Sequence, residues 1–407
     1  MDDVQKLILS ILSTSLFSGD VPEVDASNIA QLLEESKSQA VFSLVFAALE
    51  TQVKEKLSDD VYNKYSELYF SYLLSTARIY SEHEELHKVM INNDISYAVI
   101  KGIASSKYYK VPLLRCAGDV DILVHDSDFL RACSILEDIG LTKNDDNSDI
   151  HIAFNRPPSS IWELHKTVNG IPNNDIGKEI LAEIENTTVS SELNETEGII
   201  CRAPDVFHHG LIMLLHTAAH LTSEGIGLRH LCDWVVFVCA LSDKEFVDLF
   251  EEKLKRFGLW YFAQVLTLIG IKYLKAPVRE WATKEKAISE ELLEDLIEDI
   301  LTGGNFGKKD MNRYREIKYI TDRERGTIEQ GGVLSQGLKS LNQKVFERYK
   351  FISKYRVLLP LGWVIEITKY IGLLFAGKRK ATGTSKMLKE AKSRKKIYSS
   401  LKLFEIN

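Results

Sequence analysis

Apolar residues recur at three- and four-residue spacing through Val4, Leu7, Ile8, Ile11 and Leu12, through Ile29, Leu32 and Leu33, and through Val41, Leu44, Val45 and Ala48. That is the period of helices with one buried face. Residues 62–90 continue the pattern as a single long helix, so residues 1–92 are expected to be almost wholly helical. The period then shortens. Residues 95–100 read as a strand running into Lys101-Gly102, with a helix expected over residues 103–109; residues 118–124 and 161–165 alternate in the manner of strands. Asp126 or Ser127 is placed to cap a helix over 128–139 that Gly140 ends, and residues 143–150, with three aspartates and two asparagines, read as a polar loop. Helical spacing returns over 204–301. The chain therefore divides into a helical region (1–92), a strand-rich core (93–203), a second helical region (204–310) and a C-terminal extension (311–407), with no internal repeat.

The stretch Gly118-Asp119-Val120-Asp121 gives this pattern a chemical meaning. Side chains at i and i+2 of a strand share a face, so Asp119 and Asp121 point the same way from an otherwise apolar strand. Two neighbouring carboxylates repel unless a cation or a hydrogen-bond network offsets them. A divalent metal is the simplest such cation, and Mg²⁺ favours carboxylates combined with substrate phosphates. The plainer alternative is a pair of solvated aspartates on a sheet edge. Lys101 and Gly102 stand where a strand gives way to a helix start, a place suited to an anion, and Arg115 lies four residues before Asp119 on the approach to the acidic strand. Alternation over residues 161–165 puts Glu163 and His165 on one face and Trp162 and Leu164 on the other. A carboxylate on a neighbouring strand would complete the minimum set for two metal ions that activate a hydroxyl and clamp a triphosphate.

Together, Lys101-Gly102, Arg115, Gly118-Asp119-Val120-Asp121 and Glu163-Leu164-His165 resemble the signature of the uncharacterised nucleotidyltransferase family, within the DNA polymerase β-like nucleotidyltransferase superfamily. Weaker matches are residues 228–233 and the glycine-rich 303–307, so that the resemblance covers roughly residues 25–310. The family is common in bacteria and is often encoded near polysaccharide biosynthesis genes. The resemblance implies an α/β (α+β) fold with a nucleotidyltransferase-type mixed sheet between helical regions. It also implies transfer of a nucleoside monophosphate from an NTP to a hydroxyl-bearing acceptor, with two Mg²⁺ ions, or Mn²⁺ in their place. Carried across, Asp119 and Asp121 match the metal-binding pair, Glu163 the third acid, and Gly102 the glycine that lets the phosphates approach; Lys101, Ser105, Arg115 and Gly118 fall on the nucleotide side. Two positions depart from the pattern. Ile103 stands where a second small residue is usual, with Ser105 and Ser106 arriving later, and Lys166 follows His165 where an aromatic residue is common.

His209, His216 and His220 fall within one side of a helix, and the i, i+4 pair at 216 and 220 has metal-gripping spacing without the Glu of a His-Glu-x-x-His motif. Histidines that line the cleft structurally are the favoured reading, ahead of substrate contacts and then a metal. His165, His216, His220 and Arg229 are the acceptor-side candidates, and Arg229, His230 and Asp233 are expected to shape that side.

A net charge of −7 argues against general nucleic-acid binding. Five cysteines without metal-ligand spacing and an acidic start before a short apolar run fit a cytoplasmic protein. Residues 369–402 hold eleven Lys or Arg and a single Glu, which leaves the rest of the chain at −17. Just before them, residues 357–375 are apolar apart from Pro360 and a narrow stripe of Gly362, Glu366, Lys369 and Gly372. This fits a helix lying on the inner face of an anionic membrane, with packing on the protein body as the equal alternative. An inactive nucleotidyltransferase-fold module that binds a partner, as in an antitoxin, is the competing reading of the whole chain. Retention of all three acids counts against it.

Overall fold

The computed structural model describes residues 1–144, 150–284, 288–307, 309, 321–322, 327–328, 341–342, 345–346, 348–349, 351–352, 356–375 and 383–406. The chain opens with α1 (Asp3–Leu16), α2 (Ala26–Ser38), α3 (Phe42–Lys56) and α4 (Asp59–Asn92), as the 3.6-residue period predicts. Asp2 and Gln5 close a reciprocal capping box at the start of α1. The 34 residues of α4 run unbroken for roughly 50 Å.

The central part contains β1 (Tyr97–Val99), α5 (Ile103–Ser106), β2 (Asp119–Val124), α6 (Asp126–Asp138), β3 (Thr142–Lys143), β4 (His151–Asn155), β5 (Ile161–His165), α7 (Asp175–Glu185) and a hairpin of β6 (Glu192–Thr196) and β7 (Ile199–Ala203). Five strands form a mixed sheet in the order β1-β2-β5-β4-β3, with β2 and β5 parallel and the other neighbours antiparallel. The hairpin packs beside β1 and α4. Helices resume with α8 (Val206–Leu221), α9 (Leu228–Cys239), α10 (Asp243–Arg256), α11 (Trp260–Leu274), α12 (Glu280–Thr283) and α13 (Glu290–Gly303). A two-residue pair, β8 (Thr321–Asp322) and β9 (Thr327–Ile328), precedes α14 (Leu359–Phe375) and α15 (Gly383–Ser400).

Alternation separates the two faces of the sheet. Val120, Ile122, Val124, Phe154, Trp162 and Leu164 are buried in one apolar cluster with Ile79, Leu86 and Met90 of α4 and Phe129, Ala132 and Leu136 of α6. The opposite face presents Asp119, Asp121, Glu163, His165 and His151, and a cleft on that side is walled by α8 and α9. A second, larger core joins α1–α3 to α8–α11 and α13.

Several local expectations are corrected. The strand expected over 95–100 is confined to Tyr97–Val99, with the Ile100 N–H still donating to the Asp121 carbonyl. The helix expected over 103–109 ends at Ser106, because Tyr109 turns inward to donate to Asp233 and Tyr108 packs edge-on against Phe237. The helix predicted to follow Asp126 or Ser127 starts at Asp126, and His125 caps it by accepting from the Ser127 N–H. Of the expected polar loop, residues 145–149 lie outside the described residues.

Part of the C-terminal extension packs on the body, one of the two arrangements expected of it. On α14, Gly362 and Glu366 of the polar stripe face inward, and Glu366 accepts from Arg348 and Tyr349. The surroundings of Gly372 lie outside the described residues, as do Lys378, Arg379 and Lys380 of the basic stretch. The far end of that stretch is no free arm. Arg394 and Tyr398 of α15 donate to the buried Asp299 of α13, and the Phe404 N–H bonds the Gly258 carbonyl. Gly258 has φ +64°, and a Cβ there would sit 2.6 Å from the backbone of Phe404 and Glu405, so only glycine admits this docking. Among the described residues no helix is long and apolar enough to cross a membrane.

Candidate active site

Parallel pairing of β2 with β5 sets Asp121 directly beside Glu163. With Asp119 two residues earlier on the same face, the carboxylates each bring one oxygen within 4.8 Å of the others. Asp121 is almost fully buried, whereas Asp119 and Glu163 are half-buried at the cleft.

Asp121 is the electrostatic hub. Lys101 Nζ donates to its Oδ1 at 2.7 Å, and His165 Nε2 approaches the same oxygen at 3.1 Å while lying 3.4 Å from Glu163 Oε2. Burial works to raise its carboxyl, but Lys101 and the His165 hydrogen bond outweigh burial and hold it ionised, well below the usual range. Asp119 moves the other way, to about 6, because the Asp121 charge repels its own and burial adds to the effect. Burial also opposes the protonated form of His165, yet the hydrogen bonds to Asp121 and Glu163 outweigh it and raise the imidazole.

The second carboxylate oxygen of Asp121, Oδ2, is buried with no hydrogen-bond partner. A buried acceptor left unpaired is costly. Three convergent carboxylates, one with an orphaned oxygen and one destabilised by its neighbour's charge, are a donor set that fits a hard divalent cation such as Mg²⁺.

A cavity of about 520 Å³ opens beside the acids, lined among others by Lys37, Tyr72, His151, Arg229 and Phe306. This volume lies within the roughly 300–1,000 Å³ typical of small-molecule sites. It adjoins an inner pocket of about 40 Å³ that reaches Gly102, Ser105, Arg115 and His230; Lys101, Gly118, Asp119, His216 and Arg229 border both. Gly102 has φ +55° at the turn between β1 and α5, a conformation open to glycine at little cost.

The residues read from the sequence as a phosphate cradle are arranged differently. The N–H groups of Ala104, Ser105 and Ser106 close on Lys101 and Gly102 within their own turn, and α5 is only four residues long. Ser105 is buried with Oγ 3.4 Å from His209 Nε2. Arg115 is almost fully enclosed, with Nε and Nη2 both 2.7 Å from the Asp233 carboxylate. Its fork is thus engaged by an internal acid at the edge of the inner pocket. Asp233 accepts from Arg115 and Tyr109 and borders the inner pocket. Arg229, by contrast, is half-buried at the cleft, where Nη1 donates to the Cys116 carbonyl at 3.2 Å. Lys101 borders the cleft with its ammonium held on Asp121.

The chain matches the model of a family described as uncharacterised nucleotidyltransferase over residues 25–269. The chain belongs to that family. As a nucleotidyltransferase it is an enzyme of nucleotidyl transfer, with an NTP as substrate, and its enzymes generally use divalent metals. No curated protein matches it.

The histidines expected on the acceptor side of this nucleotidyltransferase separate into two groups. His165 is enclosed against Asp121. His216 and His220 border the cleft with ring centroids 4.2 Å apart, and His230 of α9 joins them within 5.8 Å, while Phe306 packs on His220 and His230. Burial keeps these imidazoles neutral, with His220 pushed down to about 4. His209 is buried against Tyr108 and Phe237. Sequence reasoning missed His151 and Lys37 at the cleft; the alternation of residues 151–155 was the one local signal for the former.

Proposed function

We propose that Asp119, Asp121 and Glu163 hold Mg²⁺ while a nucleoside monophosphate passes from an NTP to an acceptor hydroxyl, the bond from the acceptor oxygen to the α-phosphorus forming as that to the β,γ-pyrophosphate breaks and pyrophosphate leaves. The observation that carries this reading is the meeting of three carboxylates from two parallel strands, with a buried oxygen of Asp121 unpaired, beside a cleft of about 520 Å³. When bound, the metal would supply Lewis-acid stabilisation of the phosphates and lower the pKa of the attacking hydroxyl. Asp121 stays ionised through Lys101 and His165, which also fix its orientation. Glu163, open to the cleft, receives the proton of the acceptor hydroxyl. Arg229, beside Asp119 in both pockets, takes the triphosphate-side role that the sequence suggests for Arg115. The neutral wall of His216, His220 and Phe306 offers flat, weakly polar surface to the base or the acceptor.

The test is turnover of each NTP with Mg²⁺ across candidate hydroxyl acceptors, read by mass. Asp119→Asn and Asp121→Asn are each expected to abolish it while far-ultraviolet circular dichroism stays near that of the parent. Undiminished turnover in both variants overturns the assignment.

We further propose that the enzyme works at an anionic membrane surface on a precursor of a cell-surface polysaccharide. Support comes from α14 and its approach, where Val357, Leu361 and Val364 are exposed by 86%, 56% and 60% while Gly362 and Glu366 face inward, and from the basic stretch that follows.

A further inference from the structure

We propose that His151, Glu163 and His165 form a second cation site, sharing Glu163 with the three-carboxylate point, for an imidazole-favouring divalent ion such as Zn²⁺ or Co²⁺. One ligand atom from each of these residues lies within 4.8 Å of the other two. The register of the sheet creates the juxtaposition: His151 on β4 pairs directly with His165 on β5, and their ring centroids are 4.9 Å apart. Ala153 is the residue paired with Glu163 on the same strand, so β4 sets only a methyl group beside that carboxylate.

The donor set differs in kind from its neighbour. Asp119, Asp121 and Glu163 offer oxygen alone, which suits Mg²⁺, whereas two imidazoles and one carboxylate suit Zn²⁺ and related transition metals. His165 adds an independent sign. Its ring is enclosed at 1% exposure, Nε2 lies 3.1 Å from Asp121 Oδ1 and 3.4 Å from Glu163 Oε2, and Nδ1 has no hydrogen-bond partner. A carboxylate on one nitrogen is the usual support of a ligating histidine, because it fixes the tautomer and orients the ring. An ion can arrive from the cleft, which both His151 and Glu163 line. Sharing Glu163 links the sites, so each ion alters the affinity of the other by the same factor. The inference concerns cation binding alone and stands whether or not nucleotidyl transfer proceeds as proposed above.

The experiment titrates the full-length, chelator-stripped protein with Co²⁺ under excess Mg²⁺, followed by calorimetry and by the visible absorption of Co²⁺. One equivalent that Mg²⁺ does not displace is expected, with the spectrum of imidazole coordination. His151→Ala, at a half-exposed position, is expected to weaken that equivalent at least tenfold while leaving Mg²⁺ binding in place. Asp119→Asn is expected to do the reverse, weakening Mg²⁺ and retaining Co²⁺. Complete displacement of Co²⁺ by Mg²⁺, an unchanged Co²⁺ affinity in His151→Ala, or loss of both ions in Asp119→Asn would overturn the proposal.

Discussion

Lys101 and Arg115 look alike in the sequence, two cations on the approaches to an acidic strand, yet the fold assigns them different acids and different tasks. Lys101 offsets Asp121 at the site itself, while Arg115 is closed into an ion pair with Asp233. Breaking such a buried pair from one side leaves an uncompensated charge and costs about 3–5 kcal/mol. Asp233→Asn is therefore expected to lower stability by that amount in a denaturant titration. Burial acts to raise the Asp233 carboxyl, but Arg115 outweighs it and holds the group below its ordinary value. Its contribution is accordingly complete above the unfolded carboxylate range, near about 4, and disappears as pH falls through the lowered native value. The gap in thermal midpoint between the parent and Asp233→Asn should narrow as pH is taken from neutral toward that value. A gap that stays constant or widens in acid would contradict the pairing.

At the scale of elements, α4 and β5 show how a long helix aims a short strand. Glu82, buried on α4, accepts from the Ser160 N–H and from Trp162 Nε1 at the entry to β5, one residue from Glu163. Glu82→Ala would strip two buried donors of their acceptor, at about 1–3 kcal/mol each. The expected result is a loss of a few kcal/mol in a denaturant titration together with weaker Mg²⁺ binding, since the carboxylate next in line is no longer fixed. Stability equal to the parent would show the contact to be dispensable. The existence and length of α4 follow from its apolar period, but nothing in that period singles out Glu82 as an inward acceptor. In the same way Gly102 and the break after β1 are legible, whereas the early end of α5 is not. Tyr109 leaves the helical path to reach Asp233, more than a hundred residues away in sequence.

Over the whole molecule, charge and apolar surface are distributed unevenly. A body of −17 carries a C-terminal stretch of +10, and part of that stretch is anchored by Arg394, Tyr398 and Phe404 rather than left loose. The membrane proposal predicts that the full-length protein floats with vesicles rich in anionic lipid, that flotation falls as salt rises, and that Val364→Glu on the exposed side of α14 reduces it. Equal recovery with neutral and anionic vesicles, or none with either, would rule the surface out.

The sequence by itself determined the order of helical and strand regions, the family resemblance, and the side of β2 on which Asp119 and Asp121 stand, because periodicity and strand alternation are local properties of neighbouring residues. Pairing was decided only by the fold. Parallel β2 and β5 brought Glu163 beside Asp121, antiparallel β4 added His151, and α9 supplied Asp233 to Arg115 and left Arg229 at the cleft. A side chain's charge is written in its own position, but the partner that fixes its protonation and direction comes from wherever packing brings another element alongside, and no local pattern encodes that distance.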